Sequence, residues 1–544
     1  MAGFVANKVK KVVKKELAKT VSTSGATDDL IYGKDKTSRI ISIENKGGNL
    51  HIFRQLENGS IEETTRPSKF WVLSDEHVSS SQTLLDGNQP YKFLATFPTQ
   101  KERDAVVNIC KKNDVDFYRI YNQKEQTLVF EGMTYYKGMK PKEVSVLSWD
   151  METSTMRHQT ESQILMISGT FRDHTGKITR KLFSIDDYDH DEAKMIRAFI
   201  KWVCLMNPSI MLGHNIYGFD FEYLRFRCQV LGIKISLGRD GSSLQFAHYT
   251  SEFRKDGSQS IEYNNCTIFG REIVDTMFLA YQYDFARAFY SYGLKPIINQ
   301  LGLEKKDRTF VDASKIGRYY KELLETGKSE NWELAKKYAE EDSDDALTLF
   351  DIFVPAKFYF TQNVSKSFQA MVNSATGSQL NNIMVRSYLQ IGHSIAKAFE
   401  TVDYEGAISF GIPGIYKNGL KCDVSSLYPS IMRQWQVFCA TKDPLKHFIQ
   451  ITEYFAVERL RNKKLSKETG DQYYEDLQQS QKIAANSLYG FLGAAGLNYN
   501  YPEGAAFITK MGREVLEKAT MFATGKSLNY WKNLSGNTEL GAED

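Results

Sequence analysis

An apolar run, Val144–Trp149, stops abruptly at two acids in Asp150-Met151-Glu152, and few folds accommodate that. The run reads as a buried strand. Strand periodicity sets Asp150 and Glu152 on one face and Met151 on the other. Neighbouring carboxylates repel each other, and burying them is costly without a cation. A divalent metal is the natural reason for such a pair. So short a motif can also be a solvated strand end, so further pieces are needed.

The second piece is a strand at Ser209–Leu212, followed by Gly213-His214-Asn215-Ile216-Tyr217-Gly218-Phe219-Asp220 and a helix over Phe221–Leu231. Asp220 could cap that helix, and His214 alone reads as a structural histidine. A strand, a glycine-bearing loop and an acid at a helix start also place a carboxylate at a sheet's carboxyl edge, where α/β sites form. The third piece is a helix starting near Ser329. It aligns Ala335, Tyr338, Asp342, Ala346 and Leu349 on one stripe. An acid in line with apolar neighbours is expensive unless something binds it. Asp344 and Asp345 point elsewhere and are expected to be solvated.

With 544 residues, several domains are expected. A hydrophobic content of 42% and a charged content of 25% are ordinary for a globular protein. No apolar run approaches the roughly 18 residues of a membrane span. No secretory signal stands at the start, and the six cysteines form no C-x-x-C pair. Reduced thiols in a cytoplasmic compartment are expected. A net charge of +3 neither demands nor excludes nucleic acid. Residues 1–35 read as a basic amphipathic tail and linker, with Val5, Val9, Val12, Val13 and Leu17 opposite a lysine-rich face. Between Ser38 and Tyr136, strands are expected at Arg39–Ile43, Leu50–Arg54 and Phe70–Leu73, with one helix at Gln100–Lys112.

D-x-E, N-x-x-x-F-D and Y-x-x-x-D, in this order, resemble the three exonuclease motifs of family B DNA polymerases. The resemblance implies two metals, Mg²⁺ or Mn²⁺, held by Asp150, Glu152, Asp220 and Asp342. Water activated there would attack the phosphodiester at a 3′ end. Tyr338 would orient the water, and Asn215 and Phe219 would contact the strand end. Asp275, in Ile273–Phe278, is read as structural.

Further on, D-V-S-S-L-Y-P-S resembles motif A of the same family, with a strand expected at Leu420–Val424. Asp423 would hold a metal. Ser426 and Leu427 would bind the triphosphate, and Tyr428 would pack on the sugar. K-I-A-A-N-S-L-Y-G on a helix over Tyr473–Tyr489 resembles motif B. It implies that Lys482, with Arg459 from the preceding helix, grips the triphosphate. Asn486, Tyr489 and Gly490 would lie near the nascent base pair. Tyr404-Glu405-Gly406 resembles the short motif linking the two halves, with Tyr404 and Gly406 touching DNA.

The resemblance implies a multidomain α/β and α+β chain. Its expected parts are a mixed β N-terminal domain at 36–143 and an RNase H-like 3′–5′ exonuclease domain at 144–360. A partial palm at 361–444, short helical fingers at 445–495 and a palm helix with tail at 496–544 follow. Expected partners are primer–template DNA, a single-stranded 3′ end and dNTPs, and no membrane. No D-T-D string occurs, so the third motif's aspartate is absent from these residues, as is the thumb. A second subunit carrying motif C and the thumb is expected, in a split, viral or phage-like polymerase of the host cytoplasm or nucleoid. A truncated fragment, a stand-alone exonuclease and a non-catalytic DNA-binding scaffold are the alternatives. The short interval between Asp423 and Lys482 lacks the insertion of protein-primed members, which favours an ordinary nucleic-acid primer.

Overall fold

The structure is a computed structural model, and it describes residues 25–255, 259–284, 286–419, 421–424 and 426–535. The valine–lysine helix expected near the start lies outside them.

A five-stranded sheet organises the part of the chain that carries the three acidic pieces. Its order is Ile178–Ser184, Ile164–Arg172, Val146–Thr153, Ile210–Gly213, Glu272–Asp275. Neighbours among the first three strands are antiparallel, and the last two strands run parallel to Val146–Thr153. The central strand is buried on both faces except at Asp150, which is half-buried. Its apolar run therefore needs covering on each side. Helix Glu330–Thr361 packs against the sheet, capped by Ser329, whose Oγ accepts from the Trp332 N–H at 3.1 Å. The three parallel strands end together, so Asp150, Glu152, Gly213 and Asp275 gather at one carboxyl edge.

The N-terminal strands form at Ile40–Lys46, Asn49–Gln55 and Phe70–Ser74, close to expectation. The helix at Gln100–Lys112 carries a Thr99–Glu102 capping box. A second helix, Gln123–Glu131, was not expected. It buries the successive residues Gln126, Thr127, Leu128 and Val129, so no helical apolar period marks it. Two sheets stand here rather than one β domain with a single core. The sheet of Ile40–Lys46, Asn49–Gln55 and Ile61–Pro67 shares the core of the five-stranded sheet through Ile40, Leu50 and Phe53. Trp71 and Leu73 of the other sheet join a core with Phe360, Tyr388 and Leu488.

Two expectations are corrected. Residues 25–35 are not wholly tail and linker. Gly25–Tyr32 is a helix whose Leu30 and Ile31 carbonyls accept from Arg386, and Tyr32 Oη meets Tyr454 Oη at 2.6 Å. The strand expected at Leu420–Val424 does not appear. Residues 421–424 are exposed and irregular, because no described strand lies beside them to pair their backbone, and Leu420 lies outside the described residues.

Beyond Phe368 the regular elements among the described residues are helices, with an irregular stretch between Leu389 and Leu427. Thr376–Leu389 leads to Leu427–Trp435, then His447–Thr469 and Gln472–Gly493 form an antiparallel pair turned by left-handed Gly470. Pro502–Thr524 packs on both Leu427–Trp435 and Gln472–Gly493. Among the described residues, no helix is long and apolar enough to cross a membrane.

Candidate active sites

Asp150, Glu152 and Asp342 present carboxylate oxygens that all lie within 4.8 Å of one another. Strand alternation aims the first two, and the helical stripe aims the third. Asp220 stands beside them as the first residue of helix Asp220–Val230, which has no side-chain cap. It falls outside that 4.8 Å group, and the Asp150 charge acts on it. Its Oδ1 is buried without a hydrogen-bond partner.

Burial dominates the electrostatics. It pushes the Asp150 carboxyl up to about 8, helped by the Asp342 charge and opposed by Lys295 and Arg308. Burial and the Asp150 charge hold Glu152 and Asp220 well above the usual carboxylate range. Four crowded carboxyl groups, one with an orphaned oxygen, form a hard all-oxygen donor set. That set fits Mg²⁺ or Mn²⁺.

Two cations near this cluster were not read from the sequence. Arg308 pairs with Asp342, with Glu341 at 2.6 Å and with Asp345 at 2.9 Å. Lys295 Nζ lies 3.3 Å from Asp342 Oδ2 and 3.8 Å from the centre of the Tyr338 ring. Both come from the segment between the second and third pieces, where nothing local marks one lysine or arginine among many. The expectation that Asp344 and Asp345 are solvated is corrected. Asp344 accepts from Thr170 at 2.8 Å and Arg180 at 2.9 Å, and Asp345 is buried against Arg308. Helical periodicity placed them off the Asp342 stripe but could not show which cations face them.

Tyr338 is buried one turn before Asp342. Asn215 is exposed at a left-handed φ of 61°, and its N–H donates to Asp275 Oδ1 at 2.9 Å. Gly218 permits this turn, since a Cβ there would sit 2.4 Å from Asn215 Oδ1. Phe219 is half-buried, its ring 5.4 Å from that of Tyr223. Asp275 caps helix Thr276–Tyr283 through the Met277 N–H. His214 is held between Thr276 Oγ1 at 3.0 Å and the Tyr292 carbonyl at 2.8 Å.

In the helical second half, Asp423 is exposed, and no second cluster of three or more metal-ligating side chains is found among the described residues. Ser426 begins helix Leu427–Trp435 at a left-handed φ of 54° and accepts at Oγ from Arg459 Nη1 at 2.6 Å. Arg459 Nε is buried without a partner. Lys482, Asn486 and Gly490 lie exposed along one stripe of Gln472–Gly493. Tyr489 stands beside them. Its ring is 4.7 Å from that of Tyr428, and its hydroxyl is 3.2 Å from that of Tyr404. Arg513 donates to the Glu405 carbonyl at 2.7 Å and the Gly406 carbonyl at 2.6 Å, which fixes the linking segment. Tyr404, Gly406, Tyr428 and Tyr489 are thus brought together, whereas Asp423 joins no group of three or more metal-ligating side chains among the described residues.

Comparison with known proteins agrees with this architecture. The family description "DNA polymerase family B, exonuclease domain" matches residues 108–297, and "DNA polymerase family B" matches residues 450–540. The DNA polymerase of Thermococcus gorgonarius is 26% identical over 494 residues, which are 83% of this chain and 58% of that one. DNA polymerase 1 of Pyrococcus abyssi is 24% identical over 493 residues, with the same two shares. The solved family B DNA polymerase of Pyrobaculum calidifontis superposes with a TM-score of 0.71 at 17% identity, covering 89% of this chain and 71% of that one. At that identity the likeness is one of fold.

The fold and its matches define an exonuclease domain joined to polymerase elements. The chain belongs to DNA polymerase family B. It spans 58% of the length of the curated relatives named above.

Proposed function

We propose that this chain is the proofreading and substrate-binding part of a DNA polymerase, with a working 3′→5′ exonuclease centre. The observation that carries the reading is the convergence of Asp150, Glu152 and Asp342 within 4.8 Å, with Asp220 beside them. Two divalent cations held by these carboxylates would supply the activated water and stabilise the leaving oxygen. Tyr338 is proposed to orient the attacking water. Asn215 and Phe219 are proposed to hold the last nucleotide of a single strand. Arg308 keeps Asp342 in place beside Asp150.

For nucleotide addition, Arg459 and Lys482 are proposed to bind the triphosphate, together with Ser426 and the Leu427 backbone. Tyr428 would meet the sugar. Asn486, Tyr489, Gly490, Tyr404 and Gly406 would line the DNA. The buried, unpartnered Nε of Arg459 supports an anion there. Asp423 is exposed and belongs to no group of three or more metal-ligating side chains among the described residues, and template-directed addition is proposed to need a second acid supplied on another chain with the thumb. A viral or phage-like split enzyme, acting in the host cytoplasm or nucleoid, fits that requirement. Positioning and electrostatic clamping carry phosphoryl transfer, and a single exposed aspartate does not provide them.

The test uses single-stranded DNA labelled at its 5′ end. With Mg²⁺ or Mn²⁺, the chain should produce a descending ladder, and a blocked 3′ terminus should stop it. Primer extension by the chain alone should be negligible. Cleavage indifferent to the 3′ block would refute the exonuclease reading, and robust extension would refute the need for a second acid.

A further inference from the structure

We infer that Lys295 is a displaceable counter-ion of the carboxylate cluster, and that it thereby sets how much divalent cation the site requires. The inference rests on the exonuclease reading and deepens it.

The two oxygens of Asp342 are held by different kinds of cation. Oδ1 belongs to Arg308, whose side chain is 3% exposed. That guanidinium also serves Glu341 and Asp345, and the Thr309 N–H donates to Glu341 at 2.8 Å. Moving Arg308 would strand three acids at once, so it is a fixed part of the fold. Oδ2 belongs to Lys295, whose side chain is 35% exposed and, among the described residues, makes this one ion pair, at 3.3 Å. Lys295 stands near the start of Leu294–Gln300, a seven-residue helix at the rim of the site. A lysine ammonium is a compact, strongly hydrated charge on a flexible stem. Leaving Asp342 therefore returns it to water at small cost.

A divalent cation that takes Asp342 Oδ2 must displace this ammonium. The two compete for one oxygen, and the affinity of the cluster for metal is lowered by the strength of the Lys295 pair. The same ammonium covers the face of the Tyr338 ring at 3.8 Å. A cation–π contact with a tyrosine adds to its hold. Its departure would uncover the ligand and the proposed water-orienting tyrosine together. Lys295 is thus a positioning residue whose removal should ease metal entry, the opposite of what loss of a ligand would do.

Mn²⁺ binding to the full chain without DNA, measured by calorimetry and by electron paramagnetic resonance of free Mn²⁺, tests this. Wild type, K295M, K295Q, K295R and the double variant D150A/E152A are compared. Binding should be lost in D150A/E152A. K295M and K295Q should bind Mn²⁺ about five- to tenfold more tightly than wild type, and K295R should stay near wild type. An unchanged or weaker affinity in both neutral variants, with carboxylate-dependent binding intact in the wild type, overturns the counter-ion inference alone. Wild-type binding that D150A/E152A leaves untouched overturns the exonuclease reading and this inference with it.

Discussion

The hydroxyl groups of Tyr404 and Tyr489 lie 3.2 Å apart, and the Tyr489 ring leans on Tyr428 at 4.7 Å. One residue comes from the segment linking the two halves, one from helix Gln472–Gly493, and one from the first turn of Leu427–Trp435. Three separate elements therefore present aromatic surface in one place, next to the exposed Lys482–Gly490 stripe. Stacking on such a surface contributes about 1–3 kcal/mol per base. Tyr489→Ala should weaken binding of a short primer–template by that amount in fluorescence anisotropy. Tyr489→Phe, which keeps the ring, should lose about 1 kcal/mol or less. Equal losses in the two variants would mean that the ring is not a DNA platform.

Lys124 joins Glu44 of the first N-terminal sheet to Glu272 of the exonuclease sheet, at 2.8 Å and 3.4 Å. Glu272 is fully buried and also accepts from the Gln369 N–H at 2.9 Å. Burial raises the Glu44 carboxyl, and Lys124 opposes the rise. Lys124→Met would leave two buried acids without their cation, a loss of about 3–5 kcal/mol. Denaturant unfolding should report it. An unchanged midpoint would show that this pairing does not hold the two sheets together.

Asp220 should behave as a ligand that costs stability. Its orphaned Oδ1 and the Asp150 charge both disfavour the folded, metal-free state. Asp220→Asn should stabilise the protein in EDTA by roughly 1–3 kcal/mol while reducing the gain in Tm on adding Mg²⁺. A variant less stable than wild type in EDTA would contradict the assignment.

His214 gives a pH dependence with a definite sign. Burial lowers its pKa from 6.5 to about 4, so it stays neutral in the fold while the unfolded chain takes up a proton. The stability it contributes is full above about 6.5 and is lost as pH falls towards about 4, up to ~3 kcal/mol in all. His447 is lowered to a similar value and acts in the same window, so the comparison is wild type against His214→Gln. The variant should lose less stability across that window. Parallel losses would place the effect elsewhere.

The carboxylate centre was largely legible in the sequence because regular periods aimed it. Period 2 put Asp150 and Glu152 together, and the helical stripe put Asp342 in line with Ala335 and Ala346. Asp220 was legible from its place after a strand and a glycine loop. Lys295 and Arg308 were not, since ion pairs to a residue more than thirty positions along the chain leave no local mark. The docked helix Gly25–Tyr32 escaped for a similar reason: eight residues without amphipathic spacing gain their order from Arg386 and Tyr454. The strand expected through Asp423 failed because strand order depends on a pairing neighbour, which no short stretch reveals.

The most direct test of the account is the rate at which the chain shortens 5′-labelled single-stranded DNA in Mg²⁺, compared between wild type and Asp150→Ala with Glu152→Ala. The wild type should shorten the strand stepwise from its 3′ end, and the rate should fall at least about a thousandfold in the double variant. A double variant that degrades DNA at the wild-type rate would contradict it.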